Sequence, residues 1–321
     1  MTRLGYQIPS FSYPGVDQSG VFDHVIRQAV EAENSGFDTV MLMDHFFQLP
    51  GLGQPDEYML ECYTALGAIA RETSRVRLSS LVTGNTYRNP AVLAKIITTL
   101  DVVSGGRAQL GIGAGWFELE HNSFGIEFGT FTDRFEKLEE ALNIILPMLR
   151  GERPSLDGKW YTVTDAINEP PPVRRVPVMI GGSGERKTFR MVAQYADSAN
   201  IICPVDQISH KLDVIAGHCE TQGRDRSEIV VSRLAYLCVA PTHDEAQAEL
   251  DAMLLGRGVP ESKLETARAN FHWGDPDEVA EEMASQMALG LDGFCVNSLA
   301  NCWIPGRIEL LGETLSRVVG V

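Results

Sequence analysis

The sequence lacks the features that mark several large classes of protein. Lys and Arg number 27 against 43 Asp and Glu, so the net charge is −16 and the cationic excess that binds nucleic acids or anionic membranes is missing. No apolar run approaches the ~18 residues of a membrane helix, and Met1–Pro9 lacks the apolar segment of a signal peptide. The six cysteines show neither C-x-x-C nor metal-ligand spacing, which indicates reduced, buried thiols. We therefore expect a soluble cytoplasmic protein, without a metal site, that acts on a small molecule.

Short apolar strands alternate with longer helical patterns, and no stretch rich in Pro, Gly or Ser divides the chain. This alternation is typical of parallel strands joined by crossover helices. Eight strands are expected at Leu4–Ile8, Asp38–Met43, Val76–Val82, Ala108–Gly113, Val178–Gly181, Ser198–Ile202, Ile229–Val239 and Gly293–Asn297. Helices are expected at Val21–Ser35, Glu57–Glu72, Ala91–Ser104, Asp133–Arg150, Glu185–Tyr195, Gln207–Gln222, across Asp244–Leu289 and at Arg307–Val318. The pattern predicts a single (β/α)8 TIM barrel over residues 1–321, with insertions near 151–176 and 242–288.

Two of these strands end in glycine-rich segments. The first is G-I-G-A-G at Gly111–Gly115, and the second is I-G-G-S-G at Ile180–Gly184. Glycine lets the backbone turn sharply and approach a planar or anionic ligand, although a tight turn without a ligand would also explain either segment. The first segment departs from the G-x-G-x-x-G dinucleotide spacing, which argues against a nicotinamide site. The second leads into a helix beside Arg186 and Lys187, as expected of a phosphate site.

Because the active site of a TIM barrel lies at the carboxyl ends of its strands, the residues there are read together. Asp44 and His45 follow the second strand, Thr83 follows the third, and the two glycine segments follow the fourth and fifth. A histidine in such a place either takes part in proton transfer or simply bonds nearby backbone. These strand ends predict one site at the mouth of the barrel.

Five segments resemble the bacterial luciferase-like monooxygenase superfamily, specifically its actinobacterial branch of coenzyme F420-dependent oxidoreductases. They are F-D-T-V-M-L-M-D-H-F from Phe37, L-V-T-G-N-T-Y-R-N-P from Leu81, S-G-G-R-A-Q-L-G-I-G-A-G-W-F-E-L-E-H from Ser104, R-F-E-K-L-E-E-A-L from Arg134 and I-G-G-S-G-E-R-K-T-F-R-M-V-A-Q-Y-A-D from Ile180. The resemblance implies a luciferase-like TIM barrel that binds a deazaflavin, coenzyme F420, with FMN as the alternative. It also implies a homodimer formed through the helices beside strands two to four.

The resemblance assigns roles to individual residues. It places a non-prolyl cis peptide between Ser80 and Leu81 behind the tricyclic ring, and Thr83 near the polar edge of that ring. His45 would face the reactive ring as the proton-transfer or substrate-orienting residue, and Asp44 would orient His45 or contact the cofactor. The remaining cofactor contacts that it implies are Gly113, Gly115, Gly181, Gly182, Ser183, Gly184 and Lys187.

Several charged and aromatic residues near these segments are open to interpretation. Glu118, Glu120 and His121 could line the pocket, but a charged E-L-E-H run is more typical of a solvated edge, and the run is a poor helix core. Trp116 either stacks over the site or packs in its loop. Some sugar-phosphate dehydrogenases of the superfamily carry an acid at this place, so Trp116 argues against a sugar-phosphate substrate. The helix that begins near Arg134 has apolar residues at helical spacing, so its charges are interpreted as surface or structural.

Three functions fit the sequence. The first is an oxidoreductase in which reduced deazaflavin exchanges a hydride with a small organic substrate. The second is a monooxygenase that uses reduced FMN and oxygen, and the third is a protein that binds the cofactor without catalysis. Deazaflavin carries an acidic oligoglutamate tail, which a chain of net charge −16 would repel without a local basic patch. The residues expected to form that patch are Arg174, Arg175, Arg186, Lys187 and Arg190.

Overall fold

In a computed structural model that describes residues 1–320, eight parallel strands close into a barrel. The strands are β1 (Leu4–Ile8), β2 (Thr39–Leu42), β3 (Arg77–Ser80), β4 (Ala108–Gly113), β5 (Val178–Gly181), β6 (Ser198–Ile201), β7 (Val230–Val239) and β8 (Gly293–Asn297). Each strand pairs in parallel with the next along the chain, and β8 pairs with β1, where Leu4 lies opposite Phe294. The predicted (β/α)8 barrel is confirmed, and the carboxyl ends of all eight strands meet at one mouth.

Helices lie between the strands in the expected order. They are α1 (Val21–Asn34), α2 (Cys62–Glu72), α3 (Pro90–Ser104), α4 (Glu118–Phe124), α5 (Phe131–Leu149), α6 (Thr188–Tyr195), α7 (Ile208–Gln222), α8 (His243–Gly256), α9 (Leu264–Arg268), α10 (Pro276–Met287) and α11 (Arg307–Val319). Three begin later than predicted, α2 by five residues, α6 by three and α7 by one. In α2 the carboxylate of Glu61 accepts the Thr64 amide at 2.7 Å, so Glu61 rather than Glu57 caps the first turn.

Local capping chemistry explains where several helices begin and end. The Asn89 side chain accepts the amide of Ala91 at 2.9 Å, directly before Pro90 at the first helical position of α3. The same helix ends at Gly105, which has a left-handed φ of 70°. The segment Gly274-Asp275-Pro276 predicts a helix start with Asp275 as the N-cap and Pro276 at the first helical position, and Asp275 does cap α10.

The two insertions contain structure of their own. The segment 151–176 carries a short antiparallel hairpin between Leu156–Asp157 and Thr162–Val163. The segment 242–288 contains α8, α9 and α10, together with the strand His272–Gly274, which the sequence did not predict. That strand pairs in parallel with the end of β7, where Leu237 lies opposite His272. The second insertion is therefore attached to the barrel rim by strand pairing.

The helix α4 contradicts the expectation that the run after the first glycine segment is not helical. It is only seven residues long and ends at Gly125, which has a left-handed φ of 68°. Glu118 is exposed, but Glu120 and His121 are fully buried, so the expected solvated edge is wrong for those two residues. Burial of two polar side chains requires local hydrogen-bond partners.

Apolar side chains form a large core outside the barrel, a small one within it, and a third that packs α8 against the end of β7. The outer core packs the strands against the surrounding helices. The inner cluster joins Met41, Leu81, Met179, Leu234 and Cys295, all at most 9% exposed. No helix among residues 1–320 is long and apolar enough to cross a membrane, and these residues hold no cluster of potential metal ligands.

Barrel closure should depend on Gly293, the first residue of β8. A Cβ there would lie 1.8 Å from the backbone oxygen of Arg3, which cannot move without displacing β1. We expect Gly293→Ala to lower the free energy of unfolding by about 3 kcal/mol or more, as severe overpacking does. The matched control is Gly217→Ala in α7, where a Cβ meets open space and should stabilise the helix by about 0.5–1 kcal/mol. Urea unfolding of both variants measures the difference, and equal effects would contradict this account of Gly293.

Candidate active site

A cavity of about 480 Å³ lies at the carboxyl ends of the strands, and we call it the barrel-mouth cavity. Its volume is within the range of small-molecule and cofactor sites. Its apolar walls include Leu49, Leu52, Leu81, Val82, Phe135, Leu138, Ile202 and Leu234. Its polar groups include Gln7, Asp44, His45, Thr83, Arg134, Thr188, Asn200 and Tyr236. The cavity therefore combines apolar walls with a few convergent polar side chains.

The back of the cavity is formed where the chain leaves β3. The non-prolyl cis peptide joins Leu81 to Val82, so the expected bond between Ser80 and Leu81 is wrong by one residue. The Leu81 amide still donates to the Leu42 oxygen at 2.8 Å, which shows that pairing with β2 continues one residue beyond Ser80. The chain leaves the strand direction only after Leu81.

Glycine in the neighbouring strands makes room for this segment. A Cβ on Gly111 would lie 2.0 Å from the Ser80 oxygen, and a Cβ on Gly181 would lie 2.8 Å from a Val82 methyl group. Gly113 is also adjacent to Val82, at 3.1 Å from its projected Cβ. Gly113 and Gly181 were expected to contact a cofactor, but in the structure all three glycines lie against the segment Ser80–Val82, which requires their small size.

Thr83 lies inside the cavity wall and is fixed by hydrogen bonds. Its hydroxyl lies 2.6 Å from the Ser80 hydroxyl, and it also bonds the phenol of Tyr63. Ser80 donates in turn to the Gly111 oxygen at 2.9 Å. Ser80 therefore does not line the cavity itself but orients Thr83, which does.

His45 reaches the cavity from the end of β2 and is oriented by Glu120. Its Nδ1 atom donates to the Glu120 carboxylate at 2.9 Å, because a carboxylate can only accept. Among residues 1–320, no group forms a hydrogen bond with Nε2. The structure thus leaves Nε2 as the nitrogen that a ligand in the cavity can reach.

Glu120 collects donors from three parts of the chain. Its fully buried carboxylate accepts the Phe47 amide at 2.9 Å, and it also bonds the Phe46 amide and the Tyr87 hydroxyl. Burial alone would raise the pKa of this carboxyl, but the hydrogen bonds from His45, Tyr87 and Phe47 outweigh it and hold the pKa below its ordinary value. Glu120 is thus an ionised anchor for the loop after β2.

Asp44 does not orient His45, contrary to one of its two expected roles. Its carboxylate forms a bidentate ion pair with Arg88, at 2.6 and 2.9 Å, and is only 1% exposed. Arg88 also bonds Glu61 at 2.6 Å. Burial alone would lower the pKa of Arg88, but its two carboxylate partners raise it well above the ordinary value. Asp44 thus lines the cavity as a carboxylate whose charge is balanced by that of Arg88.

The second glycine segment lies at the opposite side of the cavity. Gly182 and Thr188 line the cavity, whereas Gly184 does not. The Ser183 hydroxyl donates to the Ile202 oxygen at 2.6 Å and accepts the Ile202 amide, so it is already occupied. Within residues 1–320, the backbone amides of residues 183–187 donate to no backbone carbonyl. Those free amides, rather than the serine side chain, are the donors that this turn can offer to an anion.

The expected basic patch is only partly assembled. Arg174 and Arg175 precede β5 and so lie at the other end of the barrel, where Arg175 pairs with Asp197 at 2.5 Å. Arg190 is paired with Glu139 at 2.8 Å. Arg186 is exposed, and Lys187 lies 5.5 Å from the ring centroid of Phe131. Of these five residues, Arg186 and Lys187 remain beside the second glycine segment.

Of the sequence-predicted site residues, the cavity brings together Asp44, His45, Leu81, Thr83, Gly113, Gly115, Gly181 and Gly182. Those that lie outside its walls are Ser80, Ser183, Gly184 and Lys187. Sequence analysis missed the cavity residues Gln7 and Asn200, which carried no motif. It also assigned Arg134 no place in the site, yet Arg134 lines the cavity and donates to the Gly115 oxygen at 3.1 Å.

Replacing Glu120 should make the free energy of unfolding less dependent on pH in the acidic range. The Glu120→Gln variant loses an ionised acceptor of several hydrogen bonds, so we expect the free energy of unfolding at pH 7 to fall by about 2–3 kcal/mol. Because the folded pKa lies below the ordinary value of 4.5, the stabilisation is fully present above 4.5 and is lost as pH falls through the folded pKa.

Urea unfolding of wild type and Glu120→Gln at a series of pH values tests this. The difference between them should stay constant from about pH 7 to 5 and narrow below 4.5. Glu118→Gln, an exposed position in the same helix, should change stability by less than about 0.5 kcal/mol. A difference that stays constant down to acid pH would contradict the assigned charge of Glu120.

Comparison with known proteins gives a consistent result. The chain is 35% identical over 293 residues to an F420-dependent glucose-6-phosphate dehydrogenase of Kineococcus radiotolerans, covering 86% of this chain and 77% of that one. It is 29% identical over 310 residues to an enzyme of the same name from Microbacterium testaceum, covering 90% and 89%. An F420-dependent secondary alcohol dehydrogenase, solved with an F420-acetone adduct, superposes with a TM-score of 0.82 at 21% identity, covering 99% of each chain. The sequence profile of the luciferase-like monooxygenase family matches residues 2–293, and the chain belongs to that family.

Proposed function

We propose that this chain is an oxidoreductase that uses the deazaflavin coenzyme F420 for hydride transfer to or from a small organic substrate at the barrel mouth. The observation that carries the proposal is the barrel-mouth cavity, whose apolar back and glycine walls suit a planar ring. The F420-dependent relatives support the choice of cofactor. When bound, the deazaflavin supplies a ring carbon that gives or takes a hydride.

The residues present fit such a ring. Leu81 and Val82 offer an apolar surface to one face, and Gly113 and Gly182 leave space at the sides. Thr83, held by Ser80 and Tyr63, gives a fixed polar contact for a ring edge. The free amides of residues 183–187 would hold the phosphate of the cofactor.

His45 is the proposed proton-transfer residue. Its Nδ1 hydrogen is committed to Glu120, so Nε2 is the atom that exchanges a proton with the substrate. With the cofactor supplying or taking the hydride at the substrate carbon, Nε2 would give a proton to the attached oxygen in a reduction and would take it back in an oxidation. Glu120 acts by orienting the imidazole, and Asp44 by holding Arg88 beside the loop. The apolar walls exclude water from the step.

The substrate proposed here is not a sugar phosphate, although the named relatives act on glucose 6-phosphate. Trp116 stands at the barrel mouth at the place where some sugar-phosphate dehydrogenases of the superfamily carry an acid. It lines the cavity and is 58% exposed, so its ring presents an apolar surface to an incoming molecule. Such a surface suits a less polar substrate than a sugar.

We also propose a homodimer formed through α2 and α3. Val92, Ile96, Thr99 and Val103 lie at helical spacing along α3 and border a groove of about 450 Å³ against α2. Val92 is 54% exposed, which leaves apolar surface on this face uncovered in the single chain. A second copy of the same face would cover it.

The cytoplasm is the proposed location. All six cysteines are free and buried. Unpaired thiols are common in reducing compartments, whereas secreted proteins of comparable cysteine content form disulfides. The expected substrate, a small organic molecule, and the expected cofactor are both consistent with that compartment.

Binding titrations with deazaflavin, FMN and NADPH test the cofactor. We expect deazaflavin to bind most tightly, FMN more weakly and NADPH not at all, as measured by calorimetry. The Arg186→Glu, Lys187→Glu double variant should weaken deazaflavin binding about tenfold, because the acidic tail then meets two negative charges. FMN carries the phosphate but not the tail, so its affinity should fall by less than that of deazaflavin.

Arg317→Glu, an exposed position on α11, is the charge-matched control and should leave deazaflavin binding unchanged. Equal affinity of the double variant and the wild type for deazaflavin would contradict the assignment of Arg186 and Lys187 to the acidic tail. Preference for FMN, with oxygen consumption beside a flavin reductase and none with reduced deazaflavin, would replace the proposal by the FMN monooxygenase. Binding without turnover of any acceptor would favour a non-catalytic carrier.

Sedimentation of wild type and Ile96→Glu tests the dimer. The wild-type chain should sediment as a dimer of the 35.3 kDa protomer, and the variant as a monomer, because it places a charge in the apolar groove. Leu289→Glu is the matched control at an exposed leucine outside the groove and should remain dimeric. A monomeric wild type would refute the proposal.

A further inference from the structure

A second cavity of about 700 Å³ lies beside the barrel-mouth cavity, and we call it the side chamber. Its walls come from the loop 49–57 after β2, the end of α8 and the segment 267–271 before the strand His272–Gly274. Four residues, Leu49, Leu52, Trp116 and Tyr236, line both cavities. The side chamber therefore opens onto the space assigned to the cofactor ring.

Aromatic and aliphatic side chains dominate the junction and one wall of the side chamber. Trp116 and Tyr236 stand at the junction, and the ring of Phe271 lies 6.1 Å from that of Tyr236 in an edge-to-face arrangement. Leu254 and Val259 extend the apolar surface. This lining suits a molecule with an apolar body that contains a ring.

One cation faces the side chamber with most of its hydrogen-bonding capacity unused. Arg257 donates to the Gly51 oxygen at 3.2 Å, and its other four N–H groups find no acceptor among residues 1–320. Within the same range, no carboxylate oxygen lies within 4.0 Å of its guanidinium nitrogens. By contrast, Arg107 makes five hydrogen bonds, and Arg88 is held by two carboxylates. Burial lowers the pKa of Arg257, so this guanidinium is partly removed from water.

The charge of the chamber favours one negative group rather than two. Glu57 also lines the chamber, but its carboxylate accepts the Gln54 amide at 2.9 Å and packs against Gly53, which closes its own loop. A single guanidinium opposite one engaged carboxylate can balance a monoanion. A phosphate, with up to two charges, would be repelled by Glu57 without a second cation.

We propose that the side chamber is the substrate site, and that it takes a molecule with an apolar ring-containing body and one carboxylate that Arg257 binds. The proposal rests on the proposed function for the placement of the reacting carbon beside the cofactor ring. The apolar body lies along Trp116, Tyr236 and Phe271. Arg257 fixes the far end of the substrate and takes no part in proton or hydride transfer.

Two matched probes test the site without knowledge of the substrate. They are 2-naphthoate and 2-naphthamide, which share the ring system and differ in charge. Calorimetry on the full chain, with and without saturating oxidised deazaflavin, should show both binding, with naphthoate about tenfold tighter because its hydrogen bonds to Arg257 are charge-assisted. Equal affinity of the two probes for wild type would overturn the proposal.

Three variants separate the contributions. Arg257→Gln should remove the tenfold preference while leaving naphthamide affinity unchanged, which also shows that the variant is folded. Lys263→Gln, which removes one exposed charge from the same insertion, should keep the preference. Ala267→Trp fills the chamber and should weaken both probes about tenfold or more. A preference that survives Arg257→Gln, or naphthamide binding unaffected by Ala267→Trp, would place the probes elsewhere and refute the site.

The result is distinguishable from failure of the proposed function. Arg257-dependent naphthoate binding by a chain that does not bind deazaflavin would support the chamber and refute the cofactor. Tight deazaflavin binding, together with equal affinity for naphthoate and naphthamide, would support the cofactor and refute the side chamber as the substrate site.

Discussion

The site depends on the close approach of β3 to β4 at Gly111. The Ser80 oxygen occupies the space where any other residue at 111 would have its Cβ atom. This contact fixes the end of β3, and the segment after it then places Val82 against Gly113 and Gly181. The glycines of β4 and β5 therefore make room for the displaced end of β3. Leu81 and Val82, which form the back of the barrel-mouth cavity, are placed there by that displacement.

The sequence was sufficient for the barrel because each strand and helix carries its own local signal. Strands such as Ala108–Gly113 were predicted with their observed bounds, and Asp275 with Pro276 correctly marked the start of α10. The strand His272–Gly274 was missed since only three residues form it, and its partner is 35 residues away at Leu237. A signal of that length cannot be told from a loop by periodicity.

Glu120 shows why the site was harder to predict than the fold. Within its own segment it is one acid of a charged run, and Glu118 nearby is exposed as such a run suggests. What buries it is a set of donors from distant parts of the chain, namely the Phe46 and Phe47 amides, His45 and Tyr87. Only the closed barrel brings these donors together, so no local pattern could reveal them. One of the two roles expected of Asp44, orienting His45, was wrong for the same reason, because its partner Arg88 lies 44 positions away.

The charges at the mouth are matched locally, although the chain as a whole carries −16. Asp44 is paired with Arg88, and Glu120 is surrounded by donors. Arg134 donates hydrogen bonds to the backbone oxygens of Gly115 and Gly129. The field inside the barrel-mouth cavity is therefore set by a few fixed partners rather than by the net charge.

The short strand His272–Gly274 adds a geometric constraint to the rim of the barrel. It extends the ladder of β7 beyond the residues that pair with β8, so the second insertion has a defined register on the barrel. Phe271 directly precedes this strand and Tyr236 directly precedes its partner Leu237, so the pairing brings the two rings together. Because side chains alternate along a strand, a shift of one residue in the pairing between this strand and β7 would turn the side chains of the short strand to the opposite face. The pairing of these three residues with β7 thus fixes the position of the second insertion relative to the barrel.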